Sequence, residues 1–387
     1  MARKFYKSSS YLAEGKIINN MPYLCCFKKI TRYSILGLIT AILINIVAIA
    51  STSGQQQEFL GQGLLRTGFT FQNTEVGGLS GITYDPEKQV YYAISDDRSS
   101  KAPARFYTLK INLSKSSFSE ENITFLDVTT LLDENEKPFP EFSLDPEGIA
   151  LRGNALFIAS EGDVSRQIPP FIKEFSLDGK YLRSFPIPEK ILAKPNGGIR
   201  NNLAFESLTL TPDKKSLFAA TENALIQDGE KATLTTGSPI RILRYDLNDY
   251  QPQEEYLYLS EPIAAAPTSE GGLMTNGLVE LLALGDRHLL SLERSFSLGP
   301  GNFIKLFEVS LEGATDIKDI DSLKEEMPEI SPVQKTLLLD LNNLGFALDN
   351  IEGMTLGPIL DGRPSLVLVG DNNFNFFQVT QFLVFRL

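Results

Sequence analysis

Five times between Leu79 and Asp371 a short apolar strand is followed by a second that ends on a carboxylate, and in four of the five another carboxylate stands beside the start of the first. Few folds can house a unit of that kind. The first strands read GLSGITY (78–84), PEGIAL (146–151), FESLTL (205–210), LVELLAL (278–284) and IEGMTL (351–356). The second strands read YYAISDD, LFIASEG, LFAATEN, LLSLERS and LVLVGDN. Aligned on their acids, the first series falls at Glu147, Glu206, Glu280 and Glu352, with Ser80 in the odd repeat. The second series falls at Asp96, Glu161, Glu222, Glu293 and Asp371.

Each repeat continues into an aromatic at Tyr107, Phe175, Tyr245, Phe307 or Phe385, with the period-2 alternation of a half-buried third strand. Fourth strands follow as ITFLDV (123–128), YLRSFPI (181–187), EYLYLS (255–260) and TLLLDL (336–341). The fifth repeat has none after its third strand, and LLRTGFTF (64–71) ahead of the first repeat is free to supply it. These features predict an all-β chain: a single propeller of five four-stranded blades whose N-terminal strand closes the last blade, leaving few exposed edges. The long loops at 221–239 and 310–331 leave room for a sixth blade. The stretch IKDIDSLKEEM (317–327) is the one segment with helical spacing.

Residues 1–50 are of a different kind. An apolar run of 16 residues, Ile35 to Ala50, follows Lys28, Lys29 and Arg32 and ends in Ala-Ile-Ala. That is the layout of an export signal with a long leading region, within which Met21 is an alternative start. At this length an uncleaved anchor is the alternative reading, since a spanning helix needs about 20 residues. Residues 51–387 then form the propeller, in the periplasm or outside the cell, with no membrane insertion once the signal is cleaved. Both cysteines, Cys25 and Cys26, lie in the leader. The propeller therefore has neither disulfide nor thiol chemistry.

The first 50 residues carry seven basic side chains and one acid, so the remainder has a net charge of −18 against −12 for the whole chain. That balance argues against nucleic acid and anionic membranes as partners and in favour of cations. In a propeller both acid series reach the same face of the disc. Carboxylates crowded there must be neutralised, and a hard divalent cation, most economically Ca²⁺, suits an all-oxygen donor set. Asn196, Asn276, Asn350, Asn372 and Asn373 lie beside the motifs as neutral oxygen donors. Arg98, Arg200, Arg294 and Lys173 fall nearby, and a cation flanked by guanidinium groups is a way to hold a phosphate ester. A structural alternative stands beside this: repeated acids also cap turn amides, and basic residues at strand starts also pair with neighbouring acids. His288 is the only histidine, so a Ser-His-Asp triad would have to use it, and no G-x-S-x-G turn occurs, which argues against the usual serine-esterase chemistry.

The succession GLSGI, DPEGIA, FESLTL, NGLVEL, LLSLERSF, NIEGMTL and VGDNNF resembles the phytase-like family, "esterase-like activity of phytase", of exported bacterial proteins, over about residues 60–387. The resemblance implies a propeller acting on phosphoric or other esters such as phytate. Its recurrent positions fall on Asp96, Glu147, Glu161, Glu206, Glu222, Glu280, Glu293, Arg294, Glu352, Asp371 and Asn372. The motifs of calcium-dependent six-bladed phytases do not align with this chain. The leading expectation is a metal-dependent phosphomonoesterase in which Glu147, Glu206, Glu280 and Glu352 hold cation and water, Arg294 joins them, and Arg98, Arg200, Arg294, Lys173 and Asn372 bind substrate. The alternatives are a non-catalytic propeller with a structural cation, binding a partner or glycan at its surface, and a calcium-dependent lactonase. A monomer is expected in each case.

Overall fold

The computed structural model describes residues 57–113, 117–324 and 329–387. The leader, with both cysteines and the signal pattern, lies outside the described residues. Strand β1 (Glu58–Arg66) and a small hairpin of β2 (Thr70–Phe71) and β3 (Thr74–Glu75) precede the repeats. Blade one contains β4 (Leu79–Asp85), β5 (Val90–Ser95), β6 (Arg105–Ile111) and β7 (Ile123–Thr130). Blade two contains β8 (Pro146–Arg152), β9 (Ala155–Ser160), β10 (Phe171–Ser176) and β11 (Tyr181–Ser184). Blade three contains β12 (Phe205–Leu210), β13 (Ser216–Thr221), β14 (Pro239–Asp246) and β15 (Gln251–Leu259). Blade four contains β16 (Met274–Ala283), β17 (His288–Ser297), β18 (Gly301–Ser310) and β19 (Gln334–Asp340). Blade five takes β20 (Asn350–Leu360), β21 (Arg363–Asp371) and β22 (Val379–Arg386) from the end of the chain and β1 from its beginning.

The five-bladed, all-β expectation holds, and the long loops add no sixth four-stranded sheet among the described residues. The closing strand is real but displaced: β1 pairs antiparallel with β22 from Glu58↔Arg386 to Arg66↔Val379, while the end of LLRTGFTF turns away into β2. A bulge at Gly61 allows this. Its φ is +144°, and a Cβ there would lie 2.2 Å from the Phe118 carbonyl oxygen.

The first strands β4, β8, β12, β16 and β20 neighbour one another in a closed ring around the axis. Because a blade lies on either side, they are buried almost without alternation, whereas the outermost strands β7, β11 and β19 are largely exposed on one face. Apolar cores fill the five junctions between blades. Four of the five third-strand aromatics take their expected places, Tyr107 between blades five and one, Phe175 between one and two, Tyr245 between two and three, and Phe385 between four and five, while Phe307 lies under Lys335 Nζ. Truncating such a ring to alanine costs about 3–5 kcal/mol.

No α-helix occurs among the described residues, and 317–324 forms turns and bends instead. Burial explains the difference. Ile317 and Leu323 are tucked beneath blade three, and the Lys318 and Ile320 carbonyls accept from Lys190 Nζ, with Arg241 Nη2 donating to Ile320 as well. Carbonyls turned towards buried cations cannot also close a helical ladder.

Candidate functional site

Every first strand opens with a β-bulge where it reaches the mouth of the channel. The register breaks between Leu79 and Gly81, Pro146 and Ile149, Phe205 and Ser207, Leu278 and Glu280, and Ile351 and Gly353. A bulge re-aims one side chain. Those five positions hold Ser80, Glu147, Glu206, Val279 and Glu352. The residue two before each bulged position faces the end of the second strand, giving the pairs Gly78–Asp96, Asp145–Glu161, Ala204–Glu222, Gly277–Arg294 and Asn350–Asp371.

Blade four thus departs from the acid alignment by one residue in both series. Val279, not Glu280, occupies the bulge, and Arg294, not Glu293, occupies the ring position that is acidic elsewhere. In a strand a shift of one residue sends the side chain to the other face. Glu280 accepts hydrogen bonds from the backbone N–H groups of Leu208, Leu281 and Met354, so it ties three blades together without touching the other acids. Glu293 points outward, where its carboxylate binds Tyr258 Oη at 2.7 Å, Lys335 Nζ at 2.6 Å and the Glu261 N–H at 2.8 Å. The structure removes both from the acid ring.

What remains is Asp96, Glu147, Glu161, Glu206, Glu222, Glu352 and Asp371, joined by Asp145, which the repeat alignment passed over. Asp145 stands two residues before Glu147 in DPEG, where other blades have Gly78, Ala204, Gly277 and Asn350. Its signal was present as an acid doublet but had no counterpart elsewhere. Asp145, Glu147 and Glu161 can bring one oxygen each within 4.8 Å of one another, as can Glu161, Glu206 and Glu222. Glu161 belongs to both triads and also accepts from the Ala204 N–H at 2.6 Å. Glycines make room for the second series: a Cβ on Gly78, where φ is +63°, would lie 1.9 Å from Asp96 Oδ1, and one on Gly277 would lie 2.5 Å from Glu222.

Two guanidinium groups serve this cluster. Arg294 donates to Asn350 Oδ1 at 2.6 Å and pairs with Glu222 at 3.3 Å and Glu352 at 3.4 Å. Arg98 pairs with Asp145, lies 3.5 Å from Asp163, and reaches Asn202 at 3.0 Å. The other predicted ligand groups lie elsewhere. Arg200 donates to the carbonyls of Ala224 and Gly229 and braces the loop after β13. Lys173 sits over the rings of Phe139, Phe171 and Tyr181, with Glu134 at 3.7 Å. Asn372 accepts from the Gly78 and Phe374 N–H groups, which fixes the junction of blades five and one. Ser80 donates to the Glu147 carbonyl, which accounts for the odd repeat as a link between blades.

Eight carboxylates against two arginines cannot all be ionised in so dry a place. Two charges 4.8 Å apart repel by about 3.5 kcal/mol at an effective dielectric near 20. Burial first, and neighbouring carboxylates second, push Asp96, Glu147 and Glu206 well up. Burial likewise raises Glu161 and Asp371 to about 8, and Asp145 and Glu222 to about 7, where an arginine partly offsets the rise for the latter two. Asp96 Oδ1 is also buried with no hydrogen-bond partner among the described residues. Such a site takes up either protons or a cation. Its all-carboxylate donor set fits a hard divalent ion, and these buried clusters could hold one.

Residues 74–374 match the model of the phytase-like family, described as esterase-like activity of phytase. The chain belongs to that family. The matched span covers every residue of the carboxylate cluster and omits β1 and β22, the strands that close the ring. A protein of Arthroderma benhamiae, described as an uncharacterized secreted protein, is 25% identical over 142 residues, covering 30% of this chain and 27% of that one. The chain thus spans about a quarter of that relative's length. Among solved structures, the Dos1 propeller aligns over 79% of this chain and 67% of its own, at 8% identity and TM-score 0.32. A GH43_12 protein retrieved from capybara gut metagenome aligns over 86% of this chain and 54% of its own, at 9% identity and TM-score 0.42. Neither likeness bears on function. Membership in the phytase-like family and the propeller fold together support a hydrolase-type propeller.

Proposed function

We propose that this phytase-like chain is an exported, calcium-dependent hydrolase of phosphoric monoesters, acting as a monomer on a small anionic substrate. The observation that carries the reading is a guanidinium, Arg294, set into a ring position that is acidic in the four other blades. Asp145, Glu147, Glu161, Glu206 and Glu222 would hold the cation. Bound there, it would polarise a phosphoryl oxygen and ease ionisation of water. Arg294, whose Nε is buried with no hydrogen-bond partner among the described residues, and Arg98 at the rim would neutralise the rest of the phosphate. Glu352, its carboxyl raised by burial, would take a proton from the attacking water and return one to the leaving oxygen. Export rests on the leader pattern and on the relative described as secreted; among the described residues no helix is long and apolar enough to cross a membrane.

A second reading has its own observation. Glu161 and Glu222 are each only 2% exposed, a depth that suits a structural cation as well as a catalytic one. Phosphate release from p-nitrophenyl phosphate and from phytate, measured with calcium and with chelator, separates the two. Calcium-dependent release that is lost in Arg294→Ala supports the hydrolase. A calcium-stabilised protein that releases nothing from either ester makes the cation structural.

A further inference from the structure

Arg294 and Asn350 also form the inner end of a cleft of about 950 Å³ that runs outward between blades four and five to Gln62 and Leu64 on the closing strand. Its chemistry contrasts with that of the ring. Seven of its sixteen lining residues are Asn or Gln, three are Phe, and the only charged ones are Arg294 and Asp349. Asp349 is already bound by Gln378 Nε2 at 2.9 Å and by the N–H groups of Val379 at 2.7 Å and Asn350 at 2.9 Å. Asn350 is bonded to Arg294 and Glu352, and Gln381 to Asp349, Gln62 and Ala347, so what the cleft offers a ligand is one guanidinium at its inner end, the amides of Asn302, Asn373, Asn375 and Gln378, and aromatic faces.

Two further observations suit the cleft to a ligand. Asn302 buries its Oδ1 with no hydrogen-bond partner among the described residues. At the rim, Phe377 is 90% exposed beside Phe376, yet both are held by a tight turn in which the Phe377 and Gln378 N–H groups bond to Asn375 and the Asn375 N–H to Asn372. That turn includes Phe374 at φ +50°, a conformation a bulky side chain rarely adopts, so the surrounding contacts impose it.

Phytate is a poor match for this surface, because each of its phosphates would need a cation of its own and the cleft supplies one. Amides that both donate and accept pair with hydroxyl groups, and aromatic faces cover the C–H faces of sugar rings. A volume at the upper end of the usual ligand-pocket range of about 300–1,000 Å³ suits an extended ligand. We propose that this cleft is a subsite for a neutral oligosaccharide, so that the substrate is a glycan bearing a single anionic ester that reaches the ring at Arg294. The proposal rests on the hydrolase reading for the ester and on the cleft alone for the glycan.

The test is binding of neutral probes, cellotetraose, maltotetraose and tetra-N-acetylchitotetraose, followed by saturation-transfer NMR and calorimetry on the mature protein in both calcium and chelator. At least one probe binds in both conditions. Phe377→Ala, which changes only an exposed ring, and Asn373→Gly, which removes an amide where φ is +47°, each weaken it tenfold or more. Leu182→Ala, at an exposed position on blade two, leaves it unchanged. The subsite is overturned if no probe binds at millimolar concentration, or if binding is the same in Phe377→Ala and Asn373→Gly as in the wild type. Sugar binding without any ester release would sink the hydrolase and leave the subsite standing; phytate turnover without sugar binding would do the reverse.

Discussion

Blades two and three turn five carboxylates towards the channel, whereas blade four, built on the same strand plan and the same bulge, turns Val279 and Arg294. The comparison teaches that the bulge is the repeating device and the side chain it presents is the variable. One half of the mouth collects negative charge that demands compensation. Blade four supplies compensation as a fixed cation, and Arg294 reaches across to Glu222 on one side and Glu352 on the other.

The strongest way to break this contrast is Arg294→Ala, which strands Glu222 and Glu352 in a dry site. Removing one member of a buried pair costs about 3–5 kcal/mol. Chemical denaturation in chelator should show that loss, and calcium should restore part of it. Next in size is a matched pair. Glu161→Gln removes the residue shared by both triads, so the calcium-induced rise in Tm should disappear while the chelated protein melts at or above the wild-type temperature. Glu293→Gln breaks the buried contact with Lys335 and should lower Tm in chelator and in calcium alike, with the calcium-induced rise intact. The opposite pattern would return Glu293 to the ring and undo the blade-four register.

The pH dependence sharpens the comparison further. Carboxyls raised to about 7–8 in the folded chain, against about 4 when unfolded, bind more protons in the native state. Their contribution to stability is complete below pH 4 and is lost as pH rises through about 8. Differential scanning calorimetry in chelator should therefore give a Tm that falls between pH 5 and 8, and calcium should flatten the fall. The smallest effect is expected of Glu280→Gln. The amide oxygen can keep the Leu208 and Leu281 N–H groups that now bond Oε1, and a carboxyl pushed well up by burial loses little on becoming neutral, so stability should fall by only about 1 kcal/mol, the worth of the Met354 bond.

Much of this was legible in the sequence because blades announce themselves by period. Strand number, the shared face of both acid series, the aromatic packing between blades and the closure by an N-terminal strand all follow from alternation and from the one missing strand. The register of blade four was not legible. Aligning acid upon acid at Glu280 and Glu293 gave a more regular ring than the hydrogen bonds allow, since a bulge hides one residue and the pattern of Leu278-Val279-Glu280 fits either register. Asp145 has no counterpart in the other repeats, and the nearness of Arg200 to the Glu206 motif and of Lys173 to a strand start does not show that Arg200 donates to loop carbonyls and Lys173 sits over aromatic rings. The 317–327 stretch carries helical spacing, yet the Lys318 and Ile320 carbonyls are taken by Lys190 and Arg241, residues far away in the chain.

The most direct measurement is a calcium titration of chelator-treated protein by calorimetry at pH 6.5, repeated in two buffers of different ionisation enthalpy. If the carboxylates of blades two and three form a cation site, calcium binds and displaces protons, so the apparent heat depends on the buffer, and Glu161→Gln abolishes the signal. An absence of binding heat in the wild type, or binding that is unchanged in Glu161→Gln, would contradict the account.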